Sequence, residues 1–201
     1  MGSRFMHLLI ADYVRSELHI DQRGRMLLGA LAPDATNAKL DTHFKGPPFK
    51  NCPGTPWEYG RFILKYREQI SDPFMLGYLT HLVADEVWAT KSYFSGFREI
   101  LRKDPSLYER YHEDFRLCNA KLNELYQCRG IYECLETAEE MPRIEEVTEA
   151  DIFELKKDAL ADFDYPIDHV HQELKVFSLE EILAYVERAS HRALDACRVF
   201  A

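Results

Sequence analysis

Two polar residues interrupt the most apolar segment of the chain. Residues 74–88 read FMLGYLTHLVADEVW, and His81 and Asp85 lie in the middle of this run, four residues apart. In a helix this spacing brings both side chains to one inward-facing edge. A buried carboxylate without a partner is costly, so the pair requires a compensating interaction. The sequence leaves three open: a His–Asp hydrogen bond, a buried Arg or Lys, or a metal ion.

Three further residues of the same chemistry occur in the first half of the chain. His7 lies on the apolar stripe of a predicted helix, Asp34 follows a proline in APDATN, and His43 occurs in DTHF. Taken singly, they are typical of a core histidine, an Asx-turn and an exposed loop histidine. Together with His81 and Asp85 they supply three imidazoles and two carboxylates, a ligand mixture that suits two or three zinc ions.

The elements that must position these residues are predicted to be helices. Apolar periodicity indicates a single all-α domain over 1–201, a compact bundle of six to eight helices, with strand-like alternation nearly absent. The predicted helices cover 5–18, 22–31, 57–71, 73–103, 105–128, 147–161 and 178–198. Residues 31–56 are predicted to form a long loop, a feature that is usually functional or disordered, and residues 129–146 an irregular, acidic segment.

Composition limits the classes of function. The net charge of −9 argues against a stable complex with nucleic acid, whose binding surface is normally basic. The sequence contains no apolar run of about 20 residues, so no transmembrane segment is predicted. The N-terminal stretch is interpreted as a helix and not as a signal peptide. The five cysteines are an odd number without a CxxC pair, which favours reduced thiols in a cytoplasmic protein.

Four sequence segments together resemble the zinc-dependent phospholipase C family, in particular its small bacterial members. In order, they are SRFMHLLIA, LLGALAPDATN, THF and GYLTHLVADEVW, and they span residues 3–88; YHEDFRLCNAKL at 111–122 is a weaker similarity. The resemblance implies a compact helical bundle with a zinc cluster in a cleft, an arrangement similar to that of zinc-dependent single-strand nucleases.

The same resemblance implies a role for each of the five residues. His7, His43 and His81 correspond to histidine ligands of zinc. Asp34 corresponds to a carboxylate that binds metal and orients the attacking water, which makes it the expected catalytic residue. Asp85 corresponds to the aspartate that bridges two metals.

The chain departs from the family pattern where a third ion would bind. Lys91 stands where secreted members carry a further histidine, and those members also use the amino group of their mature N-terminal residue as a ligand. The nearest match to the family's HxxxE pair is His169 with Glu173. Asp114 is a further candidate ligand, although a surface position near a helix start is the favoured interpretation of this residue.

The sequence therefore predicts a metal-dependent hydrolase of phosphate esters, a phospholipase C-like phosphodiesterase that uses a zinc-activated water on a small phosphate ester or a phospholipid head group. Two alternatives stay open: a nuclease or nucleotide phosphohydrolase of the same fold, and a non-enzymatic metal-binding protein that kept the fold. The chain has no adjacent His-Asp dipeptide, as an HD-type phosphohydrolase needs, and a di-iron site needs two ExxH pairs, of which only Glu109–His112 is found.

The sequence also suggests how the metal-free protein responds to pH. Burial and the like charge of Asp34 are expected to raise the pKa of Asp85. Stability without metal should then fall as the pH rises, because folding would oppose ionisation of this group.

Overall fold

The computed structural model describes residues 3–45, 59–90, 103–104 and 106–201. These residues form nine α-helices, two short 3-10 helices and no strand, which confirms the all-α prediction. The α-helices are α1 Arg4–Glu17, α2 Arg23–Leu31, α3 Lys39–Thr42, α4 Tyr59–Lys65, α5 Pro73–Thr90, α6 Ser106–Tyr126, α7 Arg129–Glu136, α8 Glu149–Ala161 and α9 Leu179–Cys197. The 3-10 helices are Ala32–Asp34 and Ile167–Val170.

The number of helices within these ranges exceeds the predicted six to eight, because two short helices lie in segments predicted to be irregular. Helix α3 is a single turn inside the predicted long loop. Helix α7 falls in the acidic segment, where Ile131 and Leu135, one turn apart, are both buried. Helix α4 is shorter than predicted, since turns follow it through residue 71. The predicted continuation of α5 over 91–102 lies outside the described residues.

Helices α2 and α5 pack against each other at the centre of the molecule, and glycine allows this packing. A Cβ atom on Gly29 would lie 1.9 Å from the carbonyl oxygen of Phe74, and one on Gly77 would lie 2.0 Å from that of Met26. Both obstacles are backbone atoms, which cannot rotate away. The two helices therefore approach each other backbone to backbone, as only glycine permits.

An ion pair fixes the start of the same crossing. Arg25 of α2 donates two hydrogen bonds to Asp72, at 2.9 and 2.7 Å, and Asp72 accepts the backbone N–H of Phe74 at 2.8 Å. Helices α1 and α9 pack on α5 as well, so α5 is enclosed and every residue from 74 to 85 is buried. None of the helices in the described part of the chain combines the length and apolar character needed to span a bilayer.

The substitution Gly77→Ala tests this crossing. The added methyl group would overlap the α2 backbone, so the helices must separate, and we expect the free energy of unfolding to fall by about 3 kcal/mol. Gly60→Ala in α4 is the matched control, because no heavy atom of the described residues outside its own helix backbone and chain neighbours lies within 4 Å of its Cβ position; it should stabilise the protein by about 0.5 kcal/mol. Urea denaturation measures both, and equal effects of the two substitutions would contradict the close crossing.

Candidate metal centre

The structure brings five of the candidate residues together from four elements. His7 lies on α1, Asp34 ends the 3-10 helix after α2, His43 follows α3, and His81 and Asp85 lie on α5. Two sets of three possible ligands occur here, His7–Asp34–His81 and His43–His81–Asp85, and within each set the ligand atoms lie within 4.8 Å of one another. The helical bundle thus brings together residues that are up to 78 positions apart in the sequence, from His7 to Asp85.

The α2–α5 crossing determines the protonation of the His81 ring. Its Nδ1 atom lies 2.7 Å from the carbonyl oxygen of Ala30 on α2. Because a carbonyl oxygen only accepts hydrogen bonds, Nδ1 must carry the proton. The Nε2 atom of the neutral ring then presents a bare lone pair, and this is the tautomer that a histidine ligand of a metal adopts.

A second contact positions His43. Tyr78 of α5 donates a hydrogen bond of 2.6 Å to the carbonyl oxygen of Thr42, the last residue of α3. The Thr42 hydroxyl lies 3.0 Å from His43 Nδ1. The Nε2 atom of His43 points toward the carboxylates, 3.2 Å from Asp85 and 3.6 Å from Asp34.

Four of the residues form a closed ring of ligand atoms. The ring runs from His43 Nε2 to Asp85 Oδ2 (3.2 Å), to His81 Nε2 (3.8 Å), to Asp34 Oδ2 (3.9 Å), and from Asp34 Oδ1 back to His43 (3.6 Å). Two ligand atoms on one tetrahedral zinc ion, with bonds of about 2.0–2.1 Å, lie about 3.4 Å apart. The observed separations are close to that value.

His7 stands beside this ring. Its imidazole stacks on that of His81, with ring centroids 3.7 Å apart and planes 10° from parallel. Its Nε2 atom lies 3.5 Å from Asp85 Oδ1, the carboxylate oxygen that the ring does not use. Asp85 therefore faces the ring with one oxygen and His7 with the other.

The polar atoms of this centre are buried without the hydrogen bonds that burial normally requires. Both oxygens of Asp85, both ring nitrogens of His7 and Nε2 of His81 form no hydrogen bond with the described part of the protein. The side chain of Asp85 is fully buried, and that of Asp34 is 12% exposed. The expected alternative of a His81–Asp85 hydrogen bond is absent from these residues: the two atoms are 3.8 Å apart, and the nearer nitrogen carries no proton.

The pKa values place Asp34, His81 and Asp85 in their metal-binding forms. Burial and the neighbouring His7 lower the pKa of His81 to about 3, so its ring is neutral. Burial raises the pKa of Asp34, but His81 and Lys39 outweigh it and lower the pKa to about 2. Burial also raises the pKa of Asp85, while the adjacent His43 and His7 rings bring it well below its usual range. The expectation of a raised pKa for Asp85 was wrong, because it omitted these two rings.

The structure places Asp114 outside this cluster, where it has a different role. Its fully buried carboxylate accepts backbone hydrogen bonds from Lys175 (2.9 and 3.1 Å), Val176 (2.7 Å) and Phe177 (3.1 Å). Three consecutive N–H groups satisfy this aspartate, so its charge needs no metal ion. It fixes the segment that leads into α9.

The residues proposed for a third ion are not brought to the centre. His169 lies on the second 3-10 helix, and Glu173 is exposed beyond it. Neither belongs to a set of three possible ligands within the described ranges, and Lys91 lies outside those ranges. The structure therefore assembles the five-residue centre without the residues considered for a third ion.

Sequence reasoning missed one charged residue of the centre. Lys39, the first residue of α3, forms an ion pair with the Asp34 carboxylate and donates a hydrogen bond of 3.1 Å to the Asp34 carbonyl oxygen. The sequence offers little signal for it, since a lysine in a polar loop is ordinarily solvated.

Comparisons of the chain with models of known protein families, with curated protein sequences and with solved protein structures find no match. The resemblance to zinc-dependent phospholipases C therefore stays a prediction. The geometry of the centre is therefore the main support for a function.

The pKa of His81 yields a prediction for the metal-free protein. In the unfolded chain a histidine takes up a proton below about pH 6.5, whereas folded His81 stays neutral down to about pH 3. Between these values the unfolded state binds more protons, so stability increases with pH, opposite to the expectation from sequence. From pH 4 to pH 7 we expect a contribution of about 3 kcal/mol from this residue.

Urea denaturation in the presence of a chelator, repeated across this pH range, measures the effect. His81→Gln should lose that part of the pH dependence, while His191→Gln, at an exposed position of α9, should keep it. The same pH dependence in all three proteins would show that His81 titrates normally.

Proposed function

We propose that the protein is a metal-dependent hydrolase of phosphate esters, a phospholipase C-like phosphodiesterase. One observation carries the proposal: three imidazole rings and two carboxylates converge in the core, and the His81 Nε2 lone pair faces the Asp85 carboxylate at 3.8 Å. Two acceptors in this arrangement repel each other at low dielectric. A cation between them turns the same geometry into a binding site.

The residues present fit two divalent ions. His43, His81 and one oxygen of Asp85 would hold the first ion, because these three ligand atoms lie within 4.8 Å of one another. His7, Asp34 and the other oxygen of Asp85 would hold the second, since His7 lies within 4.8 Å of Asp34 and 3.5 Å from Asp85 Oδ1. Imidazole together with carboxylate favours zinc over magnesium or calcium, which prefer all-oxygen ligands.

The second position supports catalysis over a purely structural role. A structural zinc site is closed by four protein ligands, whereas a catalytic site keeps a position for water or substrate. Each ion would have three protein ligands from the described residues, which leaves one position of a four-coordinate ion for water or substrate. When bound, the pair of ions would polarise a phosphoryl oxygen and lower the pKa of a water molecule.

The side chains of the centre have separate tasks in this proposal. Asp34 is its most exposed ligand, so it lies where water and substrate would enter. With a pKa of about 2 its carboxylate is a weak base, which favours orienting a water molecule by accepting a hydrogen bond over removing its proton. The two oxygens of Asp85 would each contribute to one of the two ion positions, and the Ala30 carbonyl keeps His81 in the ligand tautomer.

The sequence resemblance supports a phosphodiester substrate, such as a phospholipid head group or a small phosphate ester. A cytoplasmic location is part of the proposal and is supported by the thiols: Cys118, Cys128, Cys134 and Cys197 are all free, and burial raises the pKa of Cys118, Cys128 and Cys197 to about 12.

Zinc content and hydrolysis, measured together, test the proposed function. Protein expressed with added zinc should contain about two ions per chain and hydrolyse bis(p-nitrophenyl) phosphate or p-nitrophenylphosphorylcholine. Asp85→Asn should lose zinc and reduce the rate about a hundredfold or more, because even partners outside the ligand sphere change metal affinity or activity by about 10–100-fold.

Asp114→Asn is the matched control, since both aspartates are fully buried. It should keep its zinc and its rate per folded molecule, while the free energy of unfolding falls by about 2 kcal/mol through loss of charged hydrogen bonds. Absence of zinc from the wild-type protein would overturn the proposal. Bound zinc without hydrolysis of diesters, monoesters or an oligonucleotide would show a non-enzymatic metal-binding protein.

A further inference from the structure

Lys39 is the cation at the outer side of the candidate metal centre. Its ammonium group contacts the Asp34 carboxylate and the Asp34 carbonyl oxygen. The Lys39 side chain is 31% exposed and that of Asp34 12%, whereas those of the remaining four residues are at most 1% exposed. In the described part of the chain, no other lysine or arginine forms an ion pair with any of the five ligands.

The hydrogen bonds of Lys39 leave capacity for a ligand. An ammonium group has three N–H donors, and the described contacts use two of them, both on Asp34. The group also sits on a short helix whose far end is anchored to α5 by the Tyr78–Thr42 hydrogen bond. A cation with a donor that no other described residue uses is therefore held beside the centre at its most exposed ligand.

The charge of the molecule makes such a cation useful. The chain carries a net charge of −9, which repels an anionic phosphate ester from most of its surface. Ions bound by the centre would attract phosphoryl oxygens on the buried side. A phosphoryl oxygen that faces solvent would need a hydrogen-bond donor from the protein, and Lys39 lies on the solvent side of the centre.

We propose that Lys39 binds the substrate, donating a hydrogen bond from its ammonium group to a phosphoryl oxygen at the mouth of the centre. This inference rests on the proposed phosphate-ester hydrolase. It assigns to Lys39 a contact with the substrate anion itself, beyond its pairing with Asp34. The competing explanation is that Lys39 only balances the charge of Asp34.

Binding of inorganic phosphate to the zinc-loaded protein separates the two explanations. By isothermal titration calorimetry, Lys39→Met should raise the Kd for phosphate about tenfold, the size expected for one charged hydrogen bond at a partly exposed site. Lys39→Arg should restore affinity to within about threefold, since it keeps the charge and donors. The zinc content of both variants should equal that of the wild type. In steady-state hydrolysis the KM should rise more than kcat falls.

Lys157→Met is the matched control for net charge. Lys157 is an exposed residue of α8 that pairs with Glu154, and its substitution should leave phosphate affinity unchanged. If Lys39→Met changes zinc affinity but not phosphate affinity, Lys39 is only the counter-ion of Asp34 and the inference is wrong. If the wild-type protein binds zinc and hydrolyses esters, but Lys39→Met has the same Kd for phosphate and the same KM, the inference is wrong and the proposed function still stands. Wild-type protein without zinc overturns the proposed function with it.

Discussion

The structure depends on one electrostatic constraint, an ionised carboxylate in the apolar core that is surrounded by imidazole rings. Asp85 is fully buried on a helix that is itself enclosed, and its nearest neighbours are the nitrogen atoms of three imidazole rings. One of these, His81 Nε2, presents a lone pair because its other nitrogen donates to a carbonyl oxygen. Such an arrangement is unfavourable by itself and becomes favourable when a cation is shared among these atoms.

The backbone of the bundle is organised to hold this arrangement. Glycines at 29 and 77 let α2 and α5 approach closely enough for the Ala30 carbonyl to reach His81. Tyr78, one turn before His81 on α5, holds the segment that carries His43. The centre is therefore built mainly on helices and their ends. The hydrogen bonds of His81 and Tyr78 run to backbone carbonyls, which are less mobile than side chains. This rigidity suits a site that must keep its ligands at fixed separations.

The sequence predicted the fold class and the members of the centre because residue type carries that information. It could not predict reliably toward which neighbouring element each side chain of α5 points. Nearly every face of that helix is buried, so apolar residues do not mark one side of it. The roles of Asp114 and Lys39 were missed for different reasons. Asp114 is satisfied by backbone groups about 60 positions away, and the environment of Lys39 depends on how a polar loop folds. The pKa of Asp85 was predicted in the wrong direction because two rings come from distant segments.

Anomalous diffraction at the zinc absorption edge, from crystals of the zinc-loaded protein, tests the central claim most directly. The account predicts a strong peak between His43, His81 and Asp85, with a second peak between His7, Asp34 and Asp85. All protein ligands at both peaks should be nitrogen or oxygen. A site with no anomalous peak, with Asp85 instead hydrogen-bonded to a protonated His7 or His43, would contradict the account, as would zinc bound only at cysteine residues.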